Sequence, residues 1–299
     1  MNSDISSVSP SGGTPESKPV HSVSEDRQTV SYKQENAVWY TSWTALNADT
    51  IPEGVNTVYL CMGKLDMVGG QPTIDGLEGA FANAANLKAF IQKCHNHDPP
   101  IAVKITIGGH GQNPDYNNCW SKLTDGNVNN FAQALVNFCH ASGADGIDFD
   151  WEPDSFTQSE GTLVGELIKD FHGIDSNLQT SLCVNSGPSW QTQAGWVFDA
   201  AKDSDGTSAI GRLNIMAYYP FSEEEPWLES WEGWAEKQGL SPNQITVGML
   251  SNATDLDQFA KWDKSQGFST SLWDWDPSHE DTSNKASNEV WNIYHSSKR

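Results

Sequence analysis

Asp145, Asp148, Asp150 and Glu152 fall in one short run, Asp-Gly-Ile-Asp-Phe-Asp-Trp-Glu, separated by glycine, isoleucine, phenylalanine and tryptophan. An acidic surface tail would be polar throughout, whereas half of this run is apolar, as the inside of a fold is. Read as a β-strand, it places Asp148, Asp150 and Glu152 in one column and Ile147, Phe149 and Trp151 on the opposite side. Like charges a few ångströms apart cannot all ionise, and desolvation disfavours the charged form further. The column is therefore expected to share a proton near neutral pH, with Asp150 coupling Asp148 to Glu152, and to titrate as a group. A carboxyl that keeps its proton at neutral pH is what a general acid needs. Asp145, offset by an odd number, is expected to serve the start of the strand. The spacing alone would arise by chance in a chain this acidic, so its context has to carry the reading.

That context is a regular alternation. β-rich runs occupy 37–43, 56–63, 101–109, 146–152, 180–186, 213–219, 245–250 and 270–275. Helical patterns such as GLEGAFANAANLKAFIQKCHNH, NVNNFAQALVNFCHASG, GTLVGELIKDFHG, DLDQFAKWDKSQG and SNEVWNIYHSSK lie between them. Gly143, Gly173, Gly239 and Gly267 stand where C-caps should. Eight strands alternating with helices over about 260 residues predict an α/β fold, a single (β/α)8 TIM barrel. No glycine-rich dinucleotide loop follows the first strand, which argues against an open doubly wound sheet. The outer side of a barrel strand packs against helices and is apolar, so the three acids should point into the lumen. Glu152 comes last, at the C-terminal rim where barrel active sites sit.

The chain has 299 residues, with 17 Lys and Arg against 39 Asp and Glu, a formal charge of −22. That field repels nucleic acid and anionic membranes and suits a neutral or cationic partner. Thirteen Trp, 7 Tyr and 11 Phe are many for so polar a chain, and flat rings stack on sugars as well as filling cores. Cys61, Cys94, Cys119, Cys139 and Cys183 form neither a disulfide framework nor a zinc spacing, and buried free thiols are expected. No metal or cofactor is implied. No apolar run approaches the ~18 residues of a membrane span. Residues 1–35, rich in Ser and Pro, read as a disordered leader ahead of a catalytic barrel over 36–299. The leader lacks the pattern of a secretory signal, so a cytoplasmic location or a non-classical export route is expected, and a monomer.

The fourth-strand run resembles the D-x-x-D-x-D-x-E signature of glycoside hydrolase family 18, the chitinases and endo-β-N-acetylglucosaminidases. VKITIGG (103–109) is similar to the family's third-strand S-x-G-G element, with Thr106 for Ser. IMAYY (215–219) is similar to its sixth-strand M-x-Y-D element, and SLWDWD (271–276) to its eighth strand. The resemblance implies an endo-acting chitinase that cleaves β-1,4 bonds beside N-acetylglucosamine with retention, the sugar's own acetamido oxygen attacking the anomeric carbon. Mapped by motif position, Glu152 would be general acid and then base, and Asp150 would hold the acetamido N–H. Asp148 would take or supply a proton below it, and Tyr218 would donate to the acetamido oxygen. Trp273 would floor the sugar. Met216, Tyr219, Gly108, Gly109, Trp151 and Trp190 would be further substrate contacts, with Asp145 structural. Chitin or N-acetylglucosamine oligosaccharides would be the ligands.

Two departures bear on this. Tyr219 stands where the family has an aspartate, which removes a carboxylate beside the cleaved bond. ITVGML runs so soon into the next helix that no α+β insertion fits after the seventh strand, and a shallow, open cleft follows. NNCW (117–120), GPSW (187–190) and EEEPWLESWEGW (223–234) read as loops on the binding face. Trp120, Trp190, Trp227, Trp231 and Trp234 are thus subsite candidates, although each could equally pack on its own loop. An endo-β-N-acetylglucosaminidase acting on N-glycans, or a non-catalytic oligosaccharide-binding barrel, are the alternatives.

Overall fold

The computed structural model describes residues 31, 33–41, 48–110, 114–275 and 280–295. The strands and helices among them are β1 (Asn36–Tyr40), β2 (Thr57–Val68), β3 (Gln71–Asp75), α1 (Ala84–His95), β4 (Ala102–Gly108), a short α2 (Pro114–Asn117) and α3 (Val128–Ser142). They continue with β5 (Gly146–Asp150), α4 (Gln158–Ile174), β6 (Gln179–Asn185), α5 (Trp190–Ala200), β7 (Arg212–Met216) and α6 (Phe221–Lys237). The last are β8 (Ile245–Leu250), α7 (Leu256–Gln266), β9 (Ser269–Trp275) and α8 (Glu280–His295). Eight parallel strands run in the order β1-β9-β8-β7-β6-β5-β4-β2, and β1 pairs with β2 to close the ring. This is the (β/α)8 barrel that the alternation predicts. No helix among the described residues is long and apolar enough to cross a membrane.

The period-two pattern explains the layering. Outward residues such as Ile105, Ile107, Ile147, Phe149, Leu182, Leu213 and Ile215 are buried under the helices in one large apolar cluster. Inside the ring lies a separate small cluster of Ala37, Trp39, Tyr59, Cys61, Cys183 and Met216. The rest of the lumen is polar: Lys104, Thr106, Asp148, Ser181, Arg212, Asn214, Thr246 and Ser271 are all buried. Gly143 and Gly267 end α3 and α7 in the left-handed conformation (φ 89° and 78°), as their sequence context predicts. All five cysteines are free and buried.

Four details differ from the sequence reading. The second strand does not stop at 63: β2 runs on to Val68, turns at Gly69–Gly70 and pairs antiparallel with β3, a hairpin that no barrel count anticipates. EEEPWLESWEGW is part of α6 rather than a loop. Pro226 near its start conceals it, since proline removes one intrahelical hydrogen bond without preventing the helix. Gly173 does not cap α4, which continues to Ile174 and ends at an extended Asp175. Finally, the leader expected through Glu35 is too long. Glu35 is buried, its N–H donates to Ser269 Oγ (2.9 Å) and its carbonyl accepts from Thr270 (2.9 Å). The first 30 residues lie outside the described residues, as do 42–47 after the first strand.

Glu35 anchors a charged floor to the barrel. Its Oε1 meets Lys104 Nζ at 2.7 Å and Arg212 Nε at 3.2 Å, and its Oε2 accepts from the Tyr59 hydroxyl at 2.6 Å. Lys104 lies within β4 and Arg212 opens β7; both are buried and would be costly without this carboxylate. The two cations hold Glu35 below the usual carboxylate range although burial pushes it the other way.

Candidate active site

The acid column stands where strand parity puts it. Asp148 and Asp150 are buried in the lumen on β5, and Glu152 follows at the C-terminal rim. Asp148 is the best fixed: its Oδ1 accepts from Ser181 Oγ and from Asn214 Nδ2, the latter at 2.8 Å. Its Oδ2 has no hydrogen-bond partner, which leaves a place for a proton. Burial pushes Asp148 up to about 7 against hydrogen bonds and a distant Lys104 that pull it down. Asp150 lies well above the ordinary range, first through burial and then through the charges of Glu152 and Asp148. Glu152 is raised by burial as well, while its Oε1 accepts from the His110 main-chain N–H at 3.1 Å. The three carboxyls can hold at least one proton among them near neutral pH.

The end of β4 explains the paired glycines. Gly108 and Gly109 have φ of 99° and 98°, and the Gly109 N–H donates to the Asp150 carbonyl at 2.8 Å. A Cβ on Gly108 would lie 2.3 Å from that carbonyl oxygen, and one on Gly109 would lie 2.2 Å from Met62 Sδ and 3.1 Å from Asp150 Oδ2. Glycine is what lets β4 and the acid column approach so closely.

Above the column opens a cavity of about 230 Å³ lined by Trp39, Met62, His110, Asp150, Glu152, Asn185, Met216, Tyr218 and Trp273. Tyr218 is partly buried, and its hydroxyl is pushed well above the ordinary value, first by burial and then by the neighbouring thiol and carboxyls, so it remains a donor. Trp39 stacks on Tyr59 (4.6 Å, 15°) and donates from Nε1 to Ser271 Oγ at 3.0 Å. Its ring centroid is 5.9 Å from that of the partly buried Trp273, so two indoles border the space. A larger cavity, about 700 Å³, opens at the opposite mouth around Lys33, Lys104, His172 and Arg212. Among the described residues, no carboxyl group and no Phe, Tyr or Trp ring lines it.

Asp145 does the work of a strand start: its Oδ2 accepts from the Val103 N–H (2.7 Å) and meets His95 Nε2 (2.8 Å). Several tryptophans are corrected. Trp151 points outward, donates from Nε1 to Glu160 on α4 (3.0 Å) and packs on Phe156, so it braces the strand from outside and faces no ligand. Trp190 packs edge-on to the same Phe156 at 4.6 Å and does not line the cavity. Trp120 is buried beneath Gly108, and Trp231 is buried with its Nε1 donating to Ser186 O at 2.7 Å. Trp234 packs against Phe198 and Trp231. Tyr219 is 50% exposed and pairs edge-to-face with Trp227 outside the cavity lining. Sequence reasoning missed Trp39, Met62, His110 and Asn185. Trp39 shares strand parity with Ala37 and was findable that way; Asn185 and His110 sit at or beyond strand ends, and Met62 sits at the register shift of β2 between Leu60 and Gly63, where parity says little.

The profile of the glycosyl hydrolases family 18 matches residues 35–293. The chain belongs to glycosyl hydrolase family 18. No curated protein matches it in a search by sequence. A chitinase from Rhizomucor miehei is 15% identical, with a TM-score of 0.64 over 87% of this chain and 100% of that one. A family GH18 chitinase from Cycas revoluta, solved with allosamidin, is 10% identical with a TM-score of 0.67 over 87% and 99%. A chitinase-like agglutinin from Robinia pseudoacacia is 13% identical with a TM-score of 0.66 over 86% and 99%. At such identities the likeness is one of fold.

Proposed function

We propose that this family 18 member is an endo-acting chitinase that hydrolyses β-1,4-linked N-acetylglucosamine polymers with retention. The observation that carries the reading is the column of Asp148, Asp150 and Glu152, raised in pKa by burial and rising to a cavity bordered by Trp39 and Trp273. In the first step the acetamido carbonyl oxygen of the bound sugar attacks the anomeric carbon. The bond to the leaving oxygen breaks as Glu152 gives that oxygen its proton, and an oxazolinium ion forms. Asp150 must be ionised to accept the acetamido N–H, and the open Oδ2 of Asp148 is where its proton can go. Tyr218 donates to the acetamido oxygen. Glu152, now a carboxylate, takes a proton from the water that reopens the oxazolinium at the anomeric carbon.

Endo cleavage is supported by the link between β8 and α7, where only residues 251–255 intervene and no insertion walls the cleft. The fold is shared with an agglutinin as well as with chitinases, so a binding-only role is the competing reading. The retained Glu152, at the rim facing the cavity with its pKa raised by burial, favours the enzyme. Product analysis on N-acetylglucosamine oligomers with detection of the anomer tests the proposal. Internal cleavage with β-products released first is expected. Binding without new reducing ends would support the agglutinin-like role, and turnover of a high-mannose glycoprotein alone would support the N-glycan role.

A further inference from the structure

His110 follows the paired glycines, lines the cavity beside Glu152, and spends its main-chain N–H on Glu152 Oε1. Its ring is placed by other residues. Asn117 Nδ2 lies 3.0 Å from His110 Nδ1 and 3.2 Å from Asp154 Oδ1. A carboxylate only accepts, so the Asn117 amide must turn its NH2 group towards Asp154; reversed, two oxygens would face each other. The second hydrogen of that NH2 group then points at His110 Nδ1, which has to accept it. An imidazole accepting at Nδ1 carries its proton on Nε2. Asp154 is fixed in turn by Asn118, whose Nδ2 donates to its Oδ2 at 3.0 Å, and these two amides hold its carboxyl below the usual range.

We infer that His110 is a specificity-determining residue. Asp154, acting through Asn117, sets its ring as the Nε2–H tautomer, which presents a neutral donor to an acceptor oxygen of a sugar in the cleft, a hydroxyl or an acetamido carbonyl. Asn117 and Asp154 are positioning residues. The inference rests on the proposed sugar-cleaving function for its ligand, but the tautomer does not depend on it.

The test has two arms on the full chain. Nitrogen-15 spectra of histidine-labelled protein, with His110→Phe identifying the resonance, read the tautomer without any ligand. Nε2–H is expected in the unaltered protein and a mixture of tautomers in Asp154→Ala. Kinetics on N-acetylglucosamine oligomers supply the second arm. His110→Phe keeps the ring and loses the donor, so KM should rise about fivefold with kcat little changed, the loss of one neutral hydrogen bond. His110→Gln, which keeps an N–H, should recover part of that affinity. An Nδ1–H ring, or a His110→Phe variant with unaltered KM, overturns the inference. A wild type that neither binds nor cleaves the oligomers defeats the functional reading and the sugar contact with it, while the spectrum still reports whether the tautomer lock exists.

Discussion

The two upper acids divide the labour because their surroundings differ. Glu152 reaches the rim, accepts one main-chain N–H and faces the cavity, so it can exchange a proton with a ligand. Replacing it with Gln keeps the shape and removes the proton donor. Turnover should fall by about 10²–10⁴-fold while oligosaccharide binding persists, as calorimetry beside a reducing-end assay would show. A variant with normal turnover would remove Glu152 from the mechanism. Asp150 lies below it with its own pKa raised well above the ordinary range, and its hydrogen bond to Glu152 lowers the pKa of that group. Asp150→Asn removes the carboxyl that must ionise to accept the acetamido N–H. The acid limb of the pH–rate profile should then flatten, alongside a fall in kcat from the lost acetamido contact. If thermal stability changes and the profile does not, Asp150 is only part of the packing.

The strands were legible because period-two alternation is strong where one face is buried under helices, and β5 displays it without a gap. The same logic fails at element ends and at charges hidden inside. Lys104 and Arg212 have a partner the strand pattern does not reveal: Glu35 sits just before the first strand, in a stretch whose composition reads as a solvated leader. The tryptophans misled for a similar reason: composition says that rings are abundant, and only packing says that Trp120 and Trp231 fill the core. Asp263 on α7 is a further case. It is fully buried, neither oxygen has a hydrogen-bond partner, and burial raises its pKa well above the ordinary value. The folded protein therefore holds it protonated, whereas the unfolded chain ionises it near pH 4. Asp263→Asn should raise the melting temperature at pH 7, and the gain should shrink towards pH 4, where both states of the aspartate are protonated. An equal effect at both pH values would mean that the amide acts by packing alone.

At the scale of the molecule these carboxyls set how stability depends on pH. Asp148, Asp150, Glu152, Glu224 and Asp263 are all raised chiefly by burial, so the folded state binds protons that the unfolded chain releases above about pH 4. Stability from such groups is complete below the unfolded pKa and is lost as pH rises through the folded one. For Asp148, raised to about 7, the loss across that window is on the order of 4 kcal/mol. Glu35 acts in the opposite sense, because Arg212 and Lys104 lower it, and its contribution is present above the ordinary carboxylate pKa and lost in acid. The exposed acids lowered by surface hydrogen bonds, Asp66, Asp205 and Asp257, add little against solvent screening. Among the described residues the raised carboxyls outnumber the one fully buried lowered carboxyl, Glu35, and on a chain of net charge −22 they place the stability maximum on the acid side of neutrality. Calorimetry should find the melting temperature falling by several degrees from pH 5 to pH 8. Added salt should recover the part due to general charge repulsion, since it screens the surface, and leave the buried part untouched. A melting temperature that climbs over the same interval would mean that the Glu35 cluster outweighs the acid column, and that the lumen carboxyls are ionised in the resting protein.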